Sequence, residues 1–361
     1  MSKYASSDKL LENVQSILPL IKQHAEASEQ AGRLQEEVLE ALFEQRLFRL
    51  FIPKKYQGEP TDLPTALRVF ELIASADGAT GWLVMIGAGG GLFSGFLEEQ
   101  AAHEIFSPQR AVIAGSGMSS GEAKSITDGF EVSGRWAYAS GSDYATWFTA
   151  NCMVNGMDKK ILSIAVPAAN VTCHQTWNVF GMKATGSHDF SVDSVTVPTT
   201  HTFSLADKPL LDDPIFFCPL ETLASLTFAS VAIGIAQHAI VEFIAFAKHK
   251  QVFGTTECLI DKTAIQRKRV QAEQLIQDAR SQLYQRAEQV WQTAEKRHQP
   301  SEDMREKITQ EVIGMVQNCV KAIDALKVHS GMMAVFSVSP FGRAWRDLHT
   351  LSQHIIVSPK L

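Results

Sequence analysis

The chain lacks most of what would tie it to a disulfide framework, a nucleic acid or a bilayer. Its 361 residues include only five cysteines, at 152, 173, 218, 258 and 319, with no CxxC or metal-ligand spacing. An odd, scattered set fits free thiols in a reducing compartment, hence a cytoplasmic location. Lys and Arg number 33 against 39 Asp and Glu. The basic residues are spread along the chain, so no stripe of them offers to neutralise a phosphate backbone, and nucleic acid is not an expected partner. The opening MSKYASSDKLLENVQ has no apolar core behind Lys3, which argues against a secretory leader. The nearest approach to a membrane span is the uncharged run from Leu223 to Ala236, bounded by Glu221 and His238. It has roughly half to two thirds of the length a bilayer requires, so it reads as a buried bundle helix and no membrane is expected as partner. Internal repeats and low-complexity tracts are also lacking.

What is present, 45% hydrophobic and 20% charged residues, suffices for a substantial core in one large domain or two to three packed ones. Residues 1–108 read as helical. Leu10, Leu11, Val14, Ile17, Leu18 and Ile21 form an apolar stripe, which Pro19 is expected to kink or shorten. Leu34, Val38, Ala41 and Leu42 form a second stripe, and helical patterning continues over Thr65–Ala76 and Gly81–Phe96. Gly87, Gly89, Gly90 and Gly91 should weaken the last of these, either for close packing or a break, or to leave room for a ligand. Residues 109–205 switch to strands. An Asp-Gly turn precedes Phe130, Val132, Gly134 and Trp136 on one strand face, and short β-branched or aromatic segments follow at Trp147–Val154, Ile161–Pro167 and Phe190–Pro198. Such a pattern predicts a small antiparallel barrel or sandwich. Residues 206–361 return to long helices suited to a bundle.

Several segments occur in an order that resembles the acyl-CoA dehydrogenase superfamily. They are LFRLFIPKKYQG, ADGATGW ending at Trp82, GSGMSSG from Gly115, SGRWAYASGSD from Ser133, GMKATGSHDFSVDSVTVP from Gly181, FGTTECLIDKTAIQ from Phe253 and the terminal GRAWRDLHTLSQH. The similarity is greatest to the flavin-dependent monooxygenase branch, the oxygenase components of two-component hydroxylases. The resemblance implies an α+β fold with an N-terminal helical domain, a middle antiparallel β-barrel or sandwich, and a C-terminal four-helix bundle that also drives homotetramer formation. It places a flavin between the β-domain and the bundle. Tyr138, Ala139 and Ser140 are then the expected neighbours of the ring's N5 and O4. Thr185, Gly186 and Ser187 match the small polar loop on the flavin side. Lys250, before Phe253-Gly254, stands where the family carries an arginine for a flavin phosphate, and a lysine there loses the bidentate geometry.

The resemblance also bears on the reaction. An acyl-CoA dehydrogenase needs a carboxylate base, yet Arg346-Asp347 is followed by LHTLSQHIIVSPKL, which has none, and His354 falls close to the expected position. The alternative place for such a base, on the first bundle helix, is Ala224, with Glu221 one turn away. The monooxygenase branch instead uses FMN or FAD, reduced by a separate reductase and received as a co-substrate. With O2 the reduced flavin forms a C4a-hydroperoxide that oxygenates a small aromatic, sulfur or amine substrate. His354 is the candidate acid/base residue, because an imidazole titrates near neutrality. Ser116 matches a substrate-contacting serine of the branch, whereas the helical histidine that often accompanies it is replaced by the glycine run at 87–91. His349 should lie on another helix face from His354, which argues against a metal pair, and His174 and His188 are expected on the surface. The competing readings are an FAD-dependent acyl-CoA dehydrogenase and a non-catalytic flavin-binding protein.

Overall fold

The computed structural model describes residues 7–156 and 160–359. Its first helix, α1 (Ser7–Ala31), continues for 25 residues through Pro19, which does not shorten it. Proline removes one hydrogen bond, to the Gln15 carbonyl, but both residues lie on the exposed face. The stripe of Leu10, Val14, Ile17, Ile21 and Ala25 on the opposite face is buried and holds the helix across the proline. After α2 (Glu36–Glu44) the chain turns through a loop organised by Arg49, whose buried guanidinium donates to the carbonyls of Tyr56, Gln57, Phe106 and Pro108 at 2.6–3.0 Å. That fan of bonds ties the loop to the end of α5 (Glu99–Phe106).

Two aspartates start the next helices. Asp62 accepts from the Thr65 N–H at 2.8 Å to cap α3 (Leu63–Ala74), and Asp77 accepts from the Thr80 N–H at 2.9 Å to cap α4 (Gly78–Gly89). The glycine run does not break α4 until Gly89, where a 3-10 turn takes over. Three of these glycines serve close packing. A Cβ on Gly87 would lie 2.5 Å from the Phe48 ring, on Gly90 2.6 Å from Ile113, and on Gly91 2.9 Å from the Phe51 backbone. Nothing lies within 4 Å of a Cβ built on Gly89.

The middle region is an eight-stranded sheet of β1 (Ile113–Gly115), β2 (Gly121–Ile126), β3 (Gly129–Ala139), β4 (Trp147–Val154), β5 (Ile161–Pro167), β6 (Thr172–His174), β7 (His188–Pro198) and β8 (Thr202–Phe203). Its order is β6-β7-β3-β2-β4-β5-β8, with β1 also on β4. Most pairings are antiparallel, as the short alternating segments imply, but β1 and β2 each run parallel to β4, a feature that alternation alone cannot reveal. The β2–β3 hairpin turns at Thr127-Asp128, and Val132 and Trp136 point into the sheet core. The β3–β7 register shifts between Trp136 and Ala139. Tyr138, at the shift, has φ +70° and an exposed ring.

Four long segments complete the chain: α6 (Leu220–His249), α7 (Thr263–Glu295), α8 (Glu302–Lys327) and α9 (Pro340–Leu351). The apolar Leu223–Ala236 run lies inside α6, which is long and apolar enough to cross a membrane by composition. Its faces are instead covered by α3, α7, α8 and α9. Gly234 makes the α3 crossing possible, since a Cβ there would sit 2.3 Å from the Glu71 carbonyl oxygen.

Candidate functional site

The site begins at the irregular end of β3. The turn after Ala139 brings Ser140 next to the loop 182–187, and the two segments are stitched together by Gly141 N–H to Thr185 O at 2.9 Å and Ser142 Oγ to Gly186 O at 2.8 Å. Three hydroxyls then form a buried row. Ser140 Oγ lies 2.8 Å from Ser187 Oγ, which lies 2.7 Å from Thr185 Oγ1. Both ends of the row have fixed polarity. Trp82, on α4, donates its indole N–H to Ser140 Oγ at 3.0 Å, and Thr185 donates to the Met182 carbonyl at 2.8 Å. Each hydroxyl has one proton, so Ser187 donates to Thr185 and Ser140 donates to Ser187. Ser140 is left with a lone pair and no proton for a ligand.

Aromatic surface flanks this row. The Tyr138 and Trp177 rings meet edge to face at 6.3 Å, and the Trp177 indole N–H is bound by the Met182 carbonyl at 2.9 Å. On the other side Trp82 packs against Phe228 of α6 with ring centroids 4.6 Å apart, and His354 contacts Phe228 at 4.7 Å and Trp82 at 5.9 Å. His354 lies just past α9, where the chain leaves the helix after Leu351. Its Nδ1 accepts from the Ile356 N–H at 3.3 Å, which places the proton of the neutral ring on Nε2. Burial lowers its pKa below the ordinary 6.5, since a charged ring would have to shed water against two aromatic faces.

The candidate residues divide accordingly. Tyr138, Ala139, Ser140, Thr185, Gly186 and Ser187 come together from β3 and the 182–187 loop, and Trp82 links them to His354. Ser116 follows β1, half-buried, with its hydroxyl accepting from the Met118 N–H at 3.3 Å. Lys250 and Phe253 do not join the cluster within one chain. Lys250 ends α6 in solvent, and Phe253 is fully exposed. His188 is a correction to the surface expectation: its ring is buried at the start of β7, with Nδ1 accepting from the Trp177 N–H at 3.1 Å, because it buttresses the Trp177 loop from inside. His174 is half-buried on Ser191 at 2.8 Å, and His349 pairs with Asp324 at 2.9 Å. Sequence reasoning missed the parts played by Trp82, Trp177 and Met182. Trp82 was visible in ADGATGW, but its partner lies 58 positions away.

Asp347 is buried and turned under the loop, accepting from the Met182 N–H at 2.6 Å, while Glu221 is exposed in the first turn of α6. Residues 12–104 and 226–359 match the acyl-CoA dehydrogenase N-terminal and C-terminal domain families. The chain belongs to the acyl-CoA dehydrogenase superfamily. Its relatives in that superfamily include the indole-3-acetate monooxygenase of Acinetobacter baumannii, 27% identical over 98% of this chain and 92% of that protein. Another is the flavin-dependent monooxygenase oxygenase subunit HsaA of Rhodococcus jostii, 25% identical over 97% of this chain and 95% of that protein. Among solved structures, XiaF from Streptomyces sp. in complex with FADH2 superposes with TM-score 0.91 at 23% identity, over 98% of this chain and 92% of that one. The superfamily fold is therefore shared over nearly the whole chain.

Proposed function

We propose that the protein is the oxygenase component of a two-component, reduced-flavin-dependent monooxygenase acting on a small aromatic substrate. The observation that carries this reading is the pairing of an acceptor-only Ser140 with a neutral, aromatic-packed His354, with Asp347 turned under the 182–187 loop and Glu221 exposed. A flat ring system fits the edge formed by Tyr138, Trp177 and the hydroxyl row. Ser140 Oγ accepts from a ring N–H, a donor that a reduced flavin presents at N5 and an oxidised one lacks. When bound, the reduced flavin supplies two electrons to O2, so that one oxygen atom enters the substrate and the other leaves as water.

The chain's own residues do the rest. Trp82 and Phe228 offer apolar faces that exclude water beside His354. His354 Nε2–H donates to a substrate oxygen, holding it in place without carrying a charge. Its Nδ1 faces the backbone, so in this geometry the ring serves as a donor first, and as a base only if the Ile356 contact opens. Trp82, Ile86 and Gly89 share a helical face at i, i+4 and i+7. Nothing lies within 4 Å of a Cβ built on Gly89, and in this reading that space takes the part of a substrate larger than one ring. Ser116 is the polar group offered from the β-domain side.

Similarity to an indole-3-acetate monooxygenase and to a monooxygenase oxygenase subunit supports an aromatic substrate and a separate reductase. Either FMN or FAD is accommodated by the ring edge. A homotetramer belongs to this reading: Lys250 and Phe253 stand exposed at the end of α6, and Val328, Met332, Val335, Phe336 and Val338 leave an exposed apolar surface. The test is anaerobic loading with chemically reduced FMN or FAD, followed by mixing with O2 and a panel of indolic and phenolic acids. Product heavier by one oxygen atom is expected. Stoichiometric peroxide with every substrate, together with flavin bleaching by an acyl-CoA under anaerobic conditions, would favour dehydrogenation instead.

A further inference from the structure

Asp347 is a buried acid with no part in the chemistry described so far, and it sits beneath the loop that carries half of the ring-binding edge. Met182, the residue it holds, is the hub of that loop. Its N–H donates to Asp347 Oδ1 at 2.6 Å, and its carbonyl accepts from Trp177 Nε1 at 2.9 Å and Thr185 Oγ1 at 2.8 Å. Met182 also adopts φ +56°, a left-handed conformation that a side chain disfavours and the surroundings must impose. Gly181 lets the loop dock closely, since a Cβ there would lie 2.1 Å from the Arg346 carbonyl oxygen.

We propose that Asp347 is a positioning residue that pins Met182 against α9 and so sets the polarity and placement of the Thr185–Ser187–Ser140 hydroxyl row. This rests on the reading that the row faces the flavin ring. Turning the Met182 carbonyl away would leave Thr185 without its acceptor, free Ser187 and Ser140 to reverse, and cost Ser140 its acceptor-only character.

The charges around Asp347 indicate the form in which it acts. Glu29 from α1, Asp77 from the cap of α4 and Asp347 itself face Arg343 and Arg346 of α9. Arg346 pairs with Glu29 at 2.6 Å, and Arg343 stands 3.9 Å from Glu29 and 3.7 Å from Asp77. From α6, Glu242 also faces Arg343 and is paired with His238 at 3.5 Å. Several carboxyl groups thus crowd the two guanidiniums, and Asp347 is the member whose second oxygen, Oδ2, has no hydrogen-bond partner. Burial first, and then Asp77, push its pKa up to about 7. A neutral Asp347 avoids a further buried negative charge and still accepts from Met182 through Oδ1.

The sign of the linked stability follows. A carboxyl whose pKa is raised on folding binds more protons in the native state, so its contribution is complete below the ordinary value near 4 and declines as pH rises toward about 7. Asp347→Asn keeps the acceptor without the charge, and Asp347→Ala removes both. Asn should retain Kd for reduced FMN and reduced FAD within about 3-fold and flatten the fall in the apoprotein's Tm between pH 4 and 7. Ala should weaken reduced-flavin binding by about 10-fold or more, as expected for an orphaned buried N–H. It should also speed amide exchange across 181–187 in the folded apoprotein. Asn behaving like Ala, or Ala leaving both exchange and flavin Kd unchanged, would overturn the proposal. If the wild-type protein binds no reduced flavin, the functional reading fails, while exchange and the pH dependence of Tm in the apoprotein still decide whether Asp347 pins the loop.

Discussion

Trp82 and Ser140, one on a helix of the N-terminal region and the other at the end of a sheet strand, share a buried 3.0 Å hydrogen bond. Because an indole N–H only donates, the bond fixes one end of the hydroxyl row, and the Met182 carbonyl fixes the other. The hydroxyl row is thus ordered by the chain's own hydrogen bonds.

Ser140→Ala should separate the two flavin redox states. Loss of one hydrogen bond made to a reduced ring is worth about 1 kcal/mol, or roughly 5- to 10-fold in Kd. Oxidised flavin, which has no N–H at that position, should bind almost as before. Equal losses for both forms in anaerobic and aerobic titrations would show that Ser140 does not read the redox state.

Replacing His354 with Ala or Gln should leave reduced-flavin Kd within about 3-fold and lower the rate of product formation by about 100-fold, the usual scale for a positioned acid/base group. Flavin oxidation should then yield peroxide in place of product. Wild-type turnover in either variant would remove His354 from the reaction.

His354 also has a signature in stability. A histidine whose pKa is lowered on folding contributes stability that is complete above its ordinary value near 6.5 and is lost as pH falls, because the unfolded chain takes up the proton first. The Tm of the wild type relative to His354→Gln should therefore decline between pH 7 and 5. A constant difference would mean that the ring reaches water.

The glycine run separates into two kinds of position. Gly89→Leu fills open space and should spare Tm and flavin binding while lowering kcat/KM for two-ring substrates more than for one-ring substrates. Gly87→Leu must displace Phe48, whose ring is 2.5 Å from the new Cβ, and should destabilise by about 1–3 kcal/mol. Substrate profiles and urea midpoints for the pair check both statements.

Arg49→Met should be among the most damaging single changes. The carbonyls of Tyr56 and Phe106 lose their donor inside the protein and those of Gln57 and Pro108 lose one of two, at a cost of about 3 kcal/mol or more. A change in the urea midpoint corresponding to less than about 1 kcal/mol would show that water replaces the guanidinium.

The helical, β, helical order could be read from periodicity alone, because burial on one face imposes a repeat of 3.6 or 2 whatever the partner. The stripe of α1, the alternation of Val132 and Trp136, and the apolar run of α6 are of this kind. The absence of Asp or Glu after Asp347 was equally plain, and with it the doubt about dehydrogenation. Ordered motifs also brought Tyr138, Ser140, Thr185, Ser187 and His354 into view. Other features depended on contacts between distant positions, which no local pattern encodes. Pro19 did not end α1, because its lost bond faces water. His188 turned inward to hold Trp177, and three of the four glycines were consumed by packing. Only the tertiary structure decided that Trp82 and Met182 clamp the hydroxyl row from opposite ends. Hydrogen-bond direction is a property of a closed chain of partners, and these partners come from α4, β3, the 182–187 loop and α9.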